Sequence, residues 1–285
     1  METDTFYKYL TFGILFGYIL WELATGNFFQ PKLSRARDWV AEIISTINIG
    51  AIATPFIAWS IGTAGAAYFP AYANILSDMP IWGMVLMFII FDDMVHYWYH
   101  RACHTFPALY NLHRSHHSAS YMSVRLSYRN SIFFYFIMPS LWTAALLIYL
   151  GLGAVYPWFI AFKMLIISGA HCNLKWDRFL YKYKWLHPIA WVVERTISTP
   201  ATHMAHHGKH MDDGITNYKG NYGNLLFFWD VLFGTAKITR KYPKEFGLED
   251  VPDISLSQEL FWPLAGTKNG LTSNIPTQKP AEKSE

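Results

Sequence analysis

The sequence predicts an all-α fold: an integral-membrane helical bundle of four to five spans, with a helical histidine cluster on its cytoplasmic side. Three observations lead there. Hydrophobic residues make up 52% of the 285-residue chain and charged residues only 15%, against about a quarter charged in an ordinary soluble domain. The apolar residues fall in long uninterrupted runs. Most of the twelve histidines gather, at helical spacing, where those runs end.

Phe6–Trp21 is a fair span, and Trp39–Ile61, with Glu42 as its one charge, is a better one. Ile81–Phe91 is apolar but short, and it leads directly into Asp92, Asp93 and the first histidines. Residues 131–162 carry no charge, and a Gly-Leu-Gly-Ala break at 151–154 divides them. This predicts a hairpin over 131–167, Ser131–Leu150 outward and Val155–Ile167 back. Several such runs in one chain argue against buried helices of a soluble protein. Lys32, Arg35 and Arg37 lie between the first two spans, the loop at 62–80 holds only Asp78, and Arg101, Arg114, Arg125 and Arg129 follow the third. The positive-inside rule then puts 26–38, the histidine regions and the C-terminus in the cytoplasm, of a bacterial inner membrane or of the endoplasmic reticulum. No ordered signal-peptide pattern with a cleavage site is visible, so the first span is expected to stay. Cys103 and Cys172 sit on the reducing side and are expected as buried free thiols. The net charge of +3 points to no nucleic-acid partner, and no nucleotide-binding glycine loop or internal repeat occurs. The polar residues 263–285 are expected to form a disordered tail.

The histidines fall into three stretches. His96, His100 and His104 stand at i, i+4 and i+8, on one helical stripe. His113, His116 and His117 share one helix face, and His203, His206 and His207 repeat that spacing. A His-x-x-His-His unit can offer its adjacent rings to two metal ions lying side by side. His96 fits the stripe and equally a supporting position. His187, before Pro188, reads as a helix-start residue and His210 as a polar loop residue. Burying so many rings near a membrane without a ligand for them is costly. Imidazole suits zinc, copper, nickel and iron alike, while a structural zinc site closes with four ligands and needs no such array.

Taken together, "DDMVHYWYHRACH", "NLHRSHH" and "HMAHH" resemble the histidine boxes of the fatty acid hydroxylase (sterol desaturase) superfamily, integral-membrane di-iron enzymes, and in motif most resemble its alkylglycerol monooxygenase-like members. "HCN" at 171–173, "TP" at 199–200 and "NYGNLLFFWDVLFGT" at 221–235 extend the likeness over roughly residues 84–235. It departs from the pattern at His96, where the family often has an aromatic or aliphatic residue, and at Lys175, where some lipid hydroxylases carry a histidine. The resemblance implies two iron ions, O2 and two electrons from an external donor, either a separate electron-transfer protein or a pterin, and a lipid substrate (fatty acyl, alkyl or sterol-like) hydroxylated at a C–H bond. It implies His100, His113, His116, His203 and His206 on one iron and His104, His117, His171 and His207 on the other, with Asp93 accepting an imidazole N–H behind them. It divides the chain into N-terminal spans at 1–80, a di-iron domain at 81–262 and the tail. Desaturation of a sterol or other lipid by the same metals is the alternative reading. A metal-ion transporter is a remote one, because the uncharged spans offer no ionisable path through the bilayer.

Overall fold

Pro55 and the Asp92-Asp93 pair mark two places where long apolar helices change pitch. The computed structural model describes residues 2–249 and 254–265, and the regular structure among them is helical apart from one isolated antiparallel bridge between Gly208 and Phe246. α1 covers Glu2–Ala24. α2 runs over Ala36–Tyr68 and widens to a π-helix at Asn48–Ala53. Pro55 has no N–H to donate and its ring presses on the preceding turn; the wider turn ahead of it lets the helix continue. α3 covers Ile81–Cys103 and widens at Ile89–Met94. The extra residue in that turn shifts the register, so the adjacent Asp92 and Asp93 are both buried, each toward a different neighbour.

α4 (Pro107–His117) opens with a proline, whose missing N–H is harmless in a first turn. α5 (Ile132–Tyr149) bends ahead of Pro139, and α6 (Tyr156–His171) returns beside it. Gly151 turns the chain between them at φ +111°, and a Cβ there would lie 2.8 Å from Ser77 N. Asn74 N–H donates to Tyr149 O at 3.1 Å and Leu76 N–H to Leu150 O at 2.8 Å, fastening the 74–77 loop under this turn.

α2, α3 and α5 are long and apolar enough to cross a membrane. The other two expected spans are shorter: Leu10–Ala24 within α1, and α6 with 16 residues. The expected short span at Ile81–Phe91 is instead the first half of a continuous 23-residue helix that carries histidines in its second half. Phe12, Phe16, Trp59, Trp82 and Trp158 point outward from these helices, as a lipid-facing surface requires. α1 packs closely on α6, where Tyr18 Oη donates to Leu165 O at 3.0 Å and fills the space left by Gly169.

The remaining helices gather around the histidine end: α7 (Arg178–Lys182), α8 (His187–Thr196), α9 (Pro200–His206), α10 (Phe228–Leu232) and α11 (Leu256–Phe261). α11 is tied to α4 by Glu259, which accepts from Ser115 Oγ at 2.8 Å and Ser118 Oγ at 3.1 Å and pairs with Arg129. Arg129 also meets Asp38 of α2 at 3.0 Å. All three charges are buried, so removing one partner costs about 3–5 kcal/mol. Cys103 and Cys172 are buried free thiols, as the sequence suggested. Of the expected tail, residues 266–285 lie outside the described residues.

Candidate metal centre

Four helices deliver nine imidazoles to one buried volume. α3 brings His100 and, at its end, His104; α4 brings His113, His116 and His117; α6 ends on His171; α9 brings His203, His206 and, at its end, His207. A capping box at Thr199, whose side chain accepts from Thr202 N and whose N–H donates back to Thr202 Oγ1, starts α9 at the position that sets this register.

The rings form two groups, within each of which the possible ligand atoms lie within 4.8 Å of one another. One holds His100, His104, His113, His117 and His206; the other holds His116, His171, His203 and His207. The adjacent pairs His116–His117 and His206–His207 divide between the groups, as the His-x-x-His-His spacing suggested. The groups share a wall, with His117 stacked on His207 at a centroid separation of 4.4 Å. The division differs from the one the resemblance implied. His104 and His117 belong with His100, and His116 and His203 with His171. The cause is long-range: α6 approaches α4 on the His116 side, while the end of α3 turns His104 toward His117 and His206, with centroids at 4.7 and 4.6 Å.

Hydrogen bonds on the outer nitrogens fix which way the rings are protonated. His100 Nδ1–H donates to Tyr222 O at 2.8 Å, His206 Nδ1–H to Gly220 O at 2.7 Å, and His113 Nδ1–H to Asn130 Oδ1 at 2.8 Å. His116 donates likewise to Leu126 O at 3.0 Å and His171 to Ile167 O at 2.8 Å. A carbonyl oxygen cannot donate, so each of these Nδ1 atoms carries the proton and each Nε2 turns a lone pair inward. Those lone pairs face each other closely: His100 Nε2 lies 3.0 Å from His113 Nε2 and 3.1 Å from His206 Nε2, and His171 Nε2 lies 3.2 Å from His116 Nε2. Neutral rings in this tautomer have no proton to share across such gaps. Protonating them is opposed too, because burial, with repulsion from neighbouring rings added, holds His113, His116, His117, His203, His206 and His207 well below the usual imidazole range. His104 Nε2 and His207 Nε2 are buried with no hydrogen-bond partner. Converging lone pairs and orphaned nitrogens fit bound cations, and the all-imidazole set fits first-row metals such as iron.

Other residues lie where the sequence did not place them. Asp93 accepts no imidazole N–H. Its carboxylate takes Leu225 N–H at 3.3 Å, Leu226 N–H at 3.1 Å and Trp229 Nε1–H at 2.8 Å, because the widened turn at 89–94 rotates it away from His100. His96 belongs to neither group and bridges Ser140 Oγ at 3.4 Å and Asn224 Nδ2 at 3.1 Å. His187 starts α8 and donates to Tyr181 O, and His210 is a surface residue between Glu245 and Glu249. The residues missed were the ones that hold the rings. Asp230 accepts Tyr222 N–H at 2.8 Å and Gly223 N–H at 2.6 Å, which presents Tyr222 O to His100. A Cβ on Gly223 would lie 2.8 Å from Asp230 Oδ2, so the turn requires glycine. The "NYG" and "WD" echoes in the sequence were the available signal.

Below the rings lies a cavity of about 100 Å³, lined at one end by His100, His113, His116, His171 and His203 and elsewhere by apolar side chains such as Phe134, Met138, Leu141 and Ile160, interrupted by polar groups that include Asp92 and Lys163.

Apolar helices of spanning length thus lead into two histidine groups, each able to hold a metal ion, above a largely apolar cavity. The fatty acid hydroxylase family profile matches residues 85–235, more than half of the chain, and the protein belongs to that family. Alkylglycerol monooxygenase of Danio rerio is 33% identical over 144 residues, covering 50% of this chain and 28% of that protein. A very-long-chain aldehyde decarbonylase of Oryza sativa is 27% identical over 212 residues, 67% of this chain and 31% of that protein. Methylsterol monooxygenase of Aspergillus fumigatus is 26% identical over 167 residues, 53% and 46%. The chain therefore spans less than half the length of these relatives. No solved structure matches it.

Proposed function

We propose that the protein is an integral-membrane di-iron oxygenase that hydroxylates a C–H bond of a lipid, with two electrons from a separate donor. The balance is R–H + O2 + 2 e⁻ + 2 H⁺ giving R–OH + H2O. The observation that carries the reading is the opening of both histidine groups onto one cavity whose exposed lining is mostly apolar. When bound, a pair of iron ions supplies the activation of O2 that no side chain can provide. His100, His104, His113, His117 and His206 would hold one ion and His116, His171, His203 and His207 the other.

The chain's own residues do the rest. Carbonyls at Tyr222, Gly220, Leu126 and Ile167 hold the rings in the metal-binding tautomer. Phe134 stacks on His113 with centroids 5.2 Å apart and carries the apolar wall up to the ligands. An apolar wall excludes water, which favours a chain over a soluble metabolite: each buried CH2 contributes about 0.8 kcal/mol. The 26–38 loop lies beside the C-terminal segment and the segment that follows the second histidine box, where Arg37 Nη1–H donates to Ile254 O and Ser34 Oγ–H to Tyr121 Oη; the positive-inside rule assigns this end to the cytoplasm.

The test supplies iron-loaded, reconstituted protein with O2, a chemical reductant and a panel of alkyl, acyl and sterol lipids. Alcohol products that need both iron and O2 support the reading. Alkene products would replace hydroxylation by desaturation, and turnover of water-soluble metabolites or independence from iron would refute it.

A further inference from the structure

Lys163 lies on α6, inside the apolar cavity wall, and pairs with Asp92 of α3. Their side chains are 9% and 5% exposed. We propose that this ion pair is a recognition site for an oxygen-bearing group of the substrate. The lipid would then be a chain carrying a hydroxyl, ether or carbonyl oxygen about two helical turns, or about 12 Å, away from the oxidised carbon, not a plain hydrocarbon. The inference rests on the reading of the cavity as the lipid site.

An ammonium has three N–H donors. Asp92 takes one, and among the described residues Lys163 has no other hydrogen-bond acceptor; the Phe159 ring lies at 5.9 Å, and Asp93 and His96 are near enough to feel its charge without bonding to it. Most other polar groups of the wall are closed on one another. Tyr128 Oη donates to Met164 Sδ, Tyr135 Oη donates to Tyr128 O at 2.7 Å, and His96 uses both nitrogens on Ser140 and Asn224. Open capacity remains at Lys163, at Ser127 Oγ, which is buried without a partner, and at the Tyr156 hydroxyl, for which no hydrogen bond is formed among the described residues. Spare donors at three points of one wall fit an acceptor oxygen, and a hydrocarbon would leave all three unmade.

The placement sets where that oxygen sits. Lys163 precedes His171 by eight residues and Asp92 precedes His100 by eight, so both lie about 12 Å along their helices from the metal ligands. The pair thus forms one tier across the cavity, two turns below the rings. Stability alone gives little reason for it, since a buried ion pair is often replaced by apolar side chains without loss, and ionisable groups at membrane depth usually serve a ligand or a path.

The protein in detergent is equilibrated with 1-hexadecanol or with hexadecane, and the ligand retained after gel filtration is measured by gas chromatography. Since a charge-assisted hydrogen bond is worth about tenfold in affinity, wild type is expected to retain the alcohol about tenfold more strongly than the alkane. Lys163→Met should remove that preference while leaving hexadecane binding unchanged. The double variant Lys163→Met/Asp92→Asn, which strands no charge, should behave the same way with a wild-type melting temperature. Equal retention of the two ligands by wild type, or a preference that survives in both variants, overturns the proposal. So does equal loss of both ligands in the double variant, which would make the pair a strut. Binding needs no turnover, so failure of the oxygenase reading would appear separately in the iron- and O2-dependent assay.

Discussion

His113 Nε2 stands 3.0 Å from His100 Nε2, although each ring has already committed its Nδ1–H to an oxygen of another segment. Two lone pairs at that distance repel unless a cation lies between them. Protein purified anaerobically is therefore expected to carry two metal ions per chain by elemental analysis. His117→Ala should deplete the ion of the His100 group and His207→Ala that of the His171 group, with the double variant losing both. Unchanged metal in both single variants would refute the two-group arrangement.

Asp230 acts on His100 through one peptide unit. Its carboxylate accepts Tyr222 N–H, Gly223 N–H and, at 2.6 Å, Thr235 Oγ1–H, which fixes the carbonyl that holds the ring. In Asp230→Asn an amide NH2 faces one of these donors. Losing such a support costs about 10- to 100-fold in metal affinity. Chelator competition should show that loss at the His100 group and leave the His171 group near its wild-type affinity. Equal weakening of both groups would point to general unfolding of the site instead.

His210 gives the surface a pH-dependent clasp. Its ring meets Glu249 Oε1 at 2.8 Å and Glu245 Oε2 at 3.2 Å, and hydrogen bonds to the two carboxylates raise its pKa above the ordinary value of 6.5. Because the folded value is the higher one, the contribution is fully present below pH 6.5 and is lost as pH rises through the folded pKa. Glu249 also borders the cleft that reaches His104 and His117. Chelator should accordingly strip metal more slowly from wild type than from His210→Ala at pH 6, and at the same rate at pH 9. The paired comparison cancels the acid lability of the ligands themselves. A wild-type advantage that persists at pH 9 would show that charge on His210 is irrelevant.

The site was legible in the sequence to the extent that it is local. Eight of the nine clustered histidines stand out because helical spacing puts each set on one face, and the adjacent pairs suggest two groups, whereas His171 stood alone and was marked only by the resemblance. Their partition was not legible, because it depends on which side of α4 meets α6, a contact between residues 55 positions apart in His116 and His171. The role the resemblance implied for Asp93 failed for a related reason: the widened turn at 89–94 interrupts the regular helical pitch between it and His100, and its true partners lie 132 or more positions away. The Lys163–Asp92 pair was invisible for the same cause, since each residue alone reads as a charge at the end of an apolar run. The helices themselves were readable from their apolar runs, but the continuity of α3 through Asp92 and Asp93 was not, because those charges face inward rather than ending the helix.

α2 has 33 residues, so its ends are about 50 Å apart, more than the thickness of a bilayer with its headgroups. At its start, Arg37 Nη1–H donates to Ile254 O at 3.2 Å, which puts the loop before α2 beside the C-terminal segment. Beyond its end, Tyr72 is exposed in the loop on the opposite side. Lys32 is exposed as well, and both native cysteines are buried, so single introduced thiols can be labelled over a low background. A membrane-impermeant maleimide should reach Tyr72→Cys from outside intact cells and Lys32→Cys only in inside-out vesicles. Labelling of both from one side would show that α2 does not cross the bilayer. Labelling in the reverse sense would keep the span but place the histidine cluster on the outer face, where a cytoplasmic electron donor could not dock.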